Sequence, residues 1–163
     1  MVCAPSVPGM THLSGFRFPA AMGIGRAMFY GFKSPTGNLA CSWLTMGTVV
    51  CKAVVLDVPY PHDPANDGNK VTDCERGLYV SDDGSGMACA GDVEPVDLIP
   101  DLATVPVLAY GQTAISTDAA AADESGTPPA DPVACHSSED GITCWNTVTR
   151  HGIKIARSQA VFW

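Results

Sequence analysis

The chain has 163 residues, 46% of them hydrophobic, with 17 Asp+Glu against 9 Lys+Arg and a formal net charge of −8. That length suits one domain around a single core. The acid excess excludes a polyphosphate-binding surface of clustered Lys/Arg, no apolar run reaches the roughly 18 residues of a membrane span, and 16 Gly with 13 Pro exclude a helical bundle.

Residues 1–28 read as an extended basic and apolar arm. They carry Arg17 and Arg26 and no carboxylate. Pro5, Pro8, Pro19, Gly23 and Gly25 interrupt the apolar stretches, so the arm lacks the unbroken h-region of an export signal. Gly23-Ile24-Gly25-Arg26-Ala27-Met28 lacks the third glycine of a dinucleotide fingerprint. The arm cannot build a core. Its expected use is docking on protein neighbours, with Phe16, Phe18 and Met22 filling apolar grooves and Arg17 and Arg26 near carboxylates. Fifteen of the acids fall between Asp57 and Pro132 and offer the electrostatic complement. The alternative is that this acidic surface only keeps the chain soluble.

Residues 29–163 read as an all-β domain. Gly31–Ser34 leads into Pro35-Thr36-Gly37-Asn38, strong turn chemistry. Leu39–Leu44 and Thr48–Val55 predict an antiparallel pair around Met46-Gly47. Val58–Asp73 holds three prolines and predicts a loop. Gly77–Ser81 and Gly86–Ala90 flank Asp82-Asp83-Gly84-Ser85 as a second hairpin, and Val105–Tyr110 is a further strand. Residues 116–132 are a low-complexity loop in which the alanine run adds at most one helical turn. Ile142–Asn146 and Gly152–Ala156 form a third hairpin. Ser158 is placed to cap a last short turn ending in Val161-Phe162-Trp163.

Cysteine is the loudest signal. Cys3 stands apart, and the other six fall into the local pairs Cys41/Cys51, Cys74/Cys89 and Cys135/Cys144. None forms C-x-x-C, so thioredoxin-like and zinc-ribbon spacings are absent. Six cysteines allow about 15 connectivities and spacing does not choose among them. Sequential pairing is the economical reading, each bridge contributing roughly 2.5–3 kcal/mol by loop entropy. Disulfides imply an oxidising place: extracellular, periplasmic or a virion surface. Turn glycines precede Cys41, Cys89 and Cys144 in a weak internal repeat.

Phe32-Lys33-Ser34-Pro35-Thr36-Gly37-Asn38-Leu39-Ala40-Cys41 resembles the F-x-S-P-S-G-N-I-x-C opening of a family of small secreted actinobacterial proteins of unknown function. Cys89-Ala90-Gly91-Asp92, Leu108-Ala109-Tyr110-Gly111 and Gly141-Ile142-Thr143-Cys144 follow in the same order. His151-Gly152-Ile153-Lys154-Ile155-Ala156-Arg157 is similar to that family's H-G-F-x-[IL]-S-R ending. The resemblance covers residues 29–163. It implies an all-β domain with sequential disulfides and carries no catalytic residues. The arm and the loop at 116–132 depart from the family and point to use inside an assembly, such as an actinobacteriophage particle.

Chemistry-bearing residues are sparse. No G-x-S-x-G elbow exists. Ser137 with His136 or His151 and Asp140 supplies the residue types of a triad, but geometry decides such sets. Cys135, Cys144, His136 and His151 supply zinc ligands, yet the same cysteines pair better as a disulfide. Asp63-Pro64-Ala65-Asn66-Asp67-Gly68 misses a calcium loop's third ligand and its bidentate Glu, and Asp82–Gly86 is too short to wrap an ion. Trp43, Trp145 and Trp163 are expected in the core rather than on a sugar-binding platform, Trp145 packing on the neighbouring disulfide. The expectation is a disulfide-stapled barrel or sandwich with no cofactor, no metal and no catalysis. It is a structural or interaction protein of an exterior surface, first a virion component, then a secreted or envelope binding protein, then a small hydrolase.

Overall fold

The computed structural model describes residues 10–12, 17–19, 28–43, 47–62, 77–88, 105–115 and 132–163, with residues 10–12, 17–19 and 28–30 described by backbone alone. Cys3, Cys74, Cys89, Phe16, Met22, Arg26, the 63–68 segment and the alanine run lie outside these residues. Among the described residues twelve strands form: β1 (Met10–His12), β2 (Arg17–Pro19), β3 (Met28–Lys33), β4 (Leu39–Trp43), β5 (Val49–Ala53), β6 (Leu78–Val80), β7 (Ser85–Met87), β8 (Thr113–Ile115), β9 (Val133–Ser138), β10 (Gly141–Asn146), β11 (Gly152–Ala156) and β12 (Gln159–Phe162). Among the described residues no helix is long and apolar enough to cross a membrane.

The strands make two sheets, ordered β2-β3-β4-β5-β6-β7 and β1-β8-β9-β10-β11-β12. Each is an antiparallel meander with one N-terminal strand added at its edge. Arg17–Pro19 pairs antiparallel with Met28–Tyr30, and Met10–His12 pairs parallel with Thr113–Ile115. Arg17 and Phe18 thus sit in an edge strand of the chain's own sheet.

Local chemistry explains the hairpins. Gly37, at φ 73°, closes the β3–β4 turn by donating its N–H to the Ser34 carbonyl at 2.9 Å. Gly141, at φ 125°, ends the two-residue β9–β10 turn, and a Cβ there would sit 2.5 Å from the Ile155 carbonyl oxygen. The Asn146 side-chain oxygen accepts the N–H groups of Val148 and Thr149, each at 2.9 Å, and shapes the β10–β11 turn.

Two expected elements are corrected. The end of the chain is a strand, not a capped turn of helix: Arg157-Ser158 makes a tight turn and Gln159–Phe162 pairs with Ile153–Ala156. Tertiary ladder bonds outweigh the local capping option there. Val105–Tyr110 forms only one parallel bridge, Lys33↔Val107, and the next strand begins at Thr113. Pro106 has no N–H for a ladder, so its carbonyl alone pairs, with Lys33 N at 2.9 Å.

The sheets face each other as a sandwich. Register aligns Phe32–Cys41–Cys51–Leu78–Met87 across one inner face. It aligns Ala114–Cys135–Cys144–Ile153–Phe162 across the other. Members of both rows belong to one apolar core, Phe162 at its partly buried margin. Cys41 bonds Cys51 and Cys135 bonds Cys144, with Cα atoms 4.1 and 4.0 Å apart. That is the close approach of directly opposed residues in the non-hydrogen-bonded antiparallel register.

Trp43 packs in the core against Phe32, ring centroids 5.2 Å apart. Trp145 is also buried, but not on its neighbouring disulfide. Strand alternation turns it to the opposite face from Cys144, where it clusters with Ile115 and Ala134.

Candidate functional site

One end of the sandwich carries a groove of about 360 Å³. It is lined by Ser34, Thr36, Asn38 and Leu39 from the β3–β4 turn, Val55 after β5, and Tyr110 before β8. Ser138, Glu139 and Gly141 from the β9–β10 turn and Ala156 and Arg157 from the β11–β12 turn complete it. Four of the five motif segments singled out in the sequence therefore meet here, while Cys89–Asp92 lies outside the described residues.

The walls are held by paired polar groups. Ser34 Oγ accepts the Leu39 N–H at 3.1 Å and lies 3.1 Å from Thr36 Oγ1. The Asn38 side chain bridges to Val55 in both directions: Nδ2 donates to its carbonyl at 3.0 Å and Oδ1 accepts its N–H at 2.9 Å. Arg157 and Asp57 latch the next edge, Nε to Oδ2 at 2.9 Å and Asp57 N to Arg157 O at 2.7 Å. The Tyr110 turn is tied to β9 through Gly111 N to Ser137 O at 2.7 Å.

Charge on the β9–β10 turn is fixed. The Ser138 hydroxyl bonds Asp140, and Lys154 Nζ lies 2.9 Å from its Oδ2. The hydroxyl first, and the ammonium second, lower the Asp140 carboxyl from 3.8 to about 2. Tyr110 and Val55 present 42% and 46% of their surface to solvent beside these polar groups. The arrangement offers an apolar, aromatic contact flanked by Glu139, Arg157 and hydroxyls, which suits recognition. The volume is at the low end of the ~300–1,000 Å³ typical of ligand pockets.

The triad residue types do not converge. His136 lies on the outer face with Nδ1 2.8 Å from Thr113 Oγ1. Ser137, the next residue on the strand, faces inward, fully buried, and its hydroxyl makes no hydrogen bond. Asp140 is engaged by Ser138 and Lys154, and His151 sits exposed in the turn at the other end of β10. Cys135 and Cys144, half of the imagined zinc set, are bonded to each other. Of Asp82–Gly86, the first three residues make the β6–β7 turn, closed by Ser81 N to Gly84 O at 2.8 Å, and Ser85-Gly86 open β7.

Sequence reasoning missed the groove. Tyr110, Asn38 and Arg157 were visible only as parts of turns and motif strings, and Glu139 carried no signal of its own. No family model, curated protein or solved structure matches this chain.

Proposed function

We propose that the chain is a non-catalytic interaction protein of an exterior surface, a virion or a cell envelope, and that the groove around Tyr110 is the face it presents to a protein partner. The carrying observation is the convergence of five separate turn and loop segments on that groove, tied in place by hydrogen bonds. Tyr110 and Val55 supply the aromatic and apolar contact that interface centres favour, and Glu139 and Arg157 supply a polar rim. The two disulfides are compatible with an oxidising extracellular setting. The N-terminal segment remains part of the proposal as a second contact surface, through the residues beyond β1 and β2.

A photo-crosslinking residue placed at Tyr110 in the native particle or envelope tests this. The control position is Val148, exposed in the turn at the opposite end of β10. A discrete protein adduct from position 110 and none from 148 is expected. Equal labelling from both, or none from 110, overturns the reading.

A further inference from the structure

The two disulfides touch. Cys51 Sγ and Cys144 Sγ lie 3.6 Å apart across the sandwich, although they are 93 residues apart in sequence. The Sγ atoms of Cys41, Cys51 and Cys144 all lie within 4.8 Å of one another. All four bonded cysteines are fully buried, in rows whose other members are Phe32, Leu78, Met87, Ala114, Ile153 and Phe162. A bridge on one sheet is thus stacked on a bridge of the other, at van der Waals contact between sulfurs.

We infer that Cys51 and Cys144 are an alternative disulfide pair, joining the two sheets, reached by exchange when either hairpin bridge is opened. The step balances without a further oxidant. A dithiol reductant delivers two electrons and two protons to Cys41–Cys51 and leaves as its own disulfide. The Cys51 thiol loses its proton and the thiolate attacks Cys144 Sγ. The Cys51–Cys144 bond forms, the Cys135–Cys144 bond breaks, and the electron pair leaves on Cys135, which takes up a proton. The product holds one disulfide and two thiols, Cys41 and Cys135. The symmetric route opens Cys135–Cys144 first and releases Cys41.

The consequence is mechanical. Each hairpin bridge joins neighbouring strands that ladder hydrogen bonds already join. The exchanged bridge joins the two layers and closes a far longer loop, which constrains the unfolded chain more. A metal on the same sulfurs is the competing chemistry. Four thiolates around a divalent cation would bury a net double negative charge among apolar side chains, which is costly without compensating donors. The exchanged disulfide is neutral.

The test is the full-length Cys41→Ala/Cys135→Ala double variant, refolded in a glutathione redox buffer, alkylated, and peptide-mapped without reduction. A Cys51–Cys144 linked peptide is expected, with both residues protected from alkylation. Alkylation of both, or their linkage to Cys3, Cys74 or Cys89, overturns the inference. Should the double variant not fold, the single Cys41→Ala variant keeps Cys135–Cys144 and frees Cys51. A population with linked Cys51–Cys144 and alkylated Cys135 is then expected. Alkylation of Cys51 alone overturns it.

Discussion

Asn38 and Val55 are joined by two antiparallel hydrogen bonds, 2.9 and 3.0 Å, through the amide side chain of one and the backbone of the other. The carboxamide acts as one more residue of strand pairing beyond the end of β5, and it fixes one wall of the groove. Asn38→Asp keeps the acceptor and replaces the donor with an oxygen facing the Val55 carbonyl. A loss of about 1–2 kcal/mol is expected in urea unfolding. Asn38→Ala is expected to cost less, since it removes the bonds without adding repulsion.

Asp140 gives a pH signature with a definite sign. Its folded-state carboxyl is lowered to about 2 from 3.8, so the charged form is the stabilised one. The contribution is fully present above pH 3.8 and is lost as pH falls from there through 2. The pair is surface-exposed, 73% on the Asp140 side, so its size is under about 1 kcal/mol. Wild type and Asp140→Asn are therefore expected to differ in urea midpoint at pH 6 and to converge only below about pH 2.

Ser137 is fully buried with an unbonded hydroxyl on the inner face of β9. A buried polar group without a partner is a liability. Ser137→Ala is expected to leave stability unchanged or raise it by up to ~1 kcal/mol, measured by thermal and urea melts. It is also expected to leave partner binding intact, because Ser137 does not line the groove.

Removal of residues 1–27 is expected to spare both described bridges and the strands from β3 onward. It takes away β1 and β2, which cover the outer edges of β8 and β3. Open sheet edges template association. A cooperative melt at lower temperature, with concentration-dependent self-association in sedimentation velocity, is the outcome expected. A chain without cooperative melting would show that the N-terminal strands are needed for the fold itself.

Hairpins were legible in the sequence because their causes are local. Pro35-Thr36-Gly37-Asn38, Asp82-Asp83-Gly84-Ser85 and the spacing of Cys41 to Cys51 and Cys135 to Cys144 each act within a few residues, and the all-β class followed from them. The capped turn expected after Ser158 failed because its backbone found a partner in β11, which no local reading weighs. The burial of Trp145 away from its disulfide needed strand parity and a covered outer face. The groove needed Tyr110 and Arg157 brought to the Asn38 turn from far along the chain. The 3.6 Å contact between Cys51 and Cys144 depends on the facing of two sheets. Register within a hairpin is set by turn geometry and side-chain alternation, whereas sheet-on-sheet alignment is set by packing of whole inner faces, so only the tertiary structure decides which rows meet.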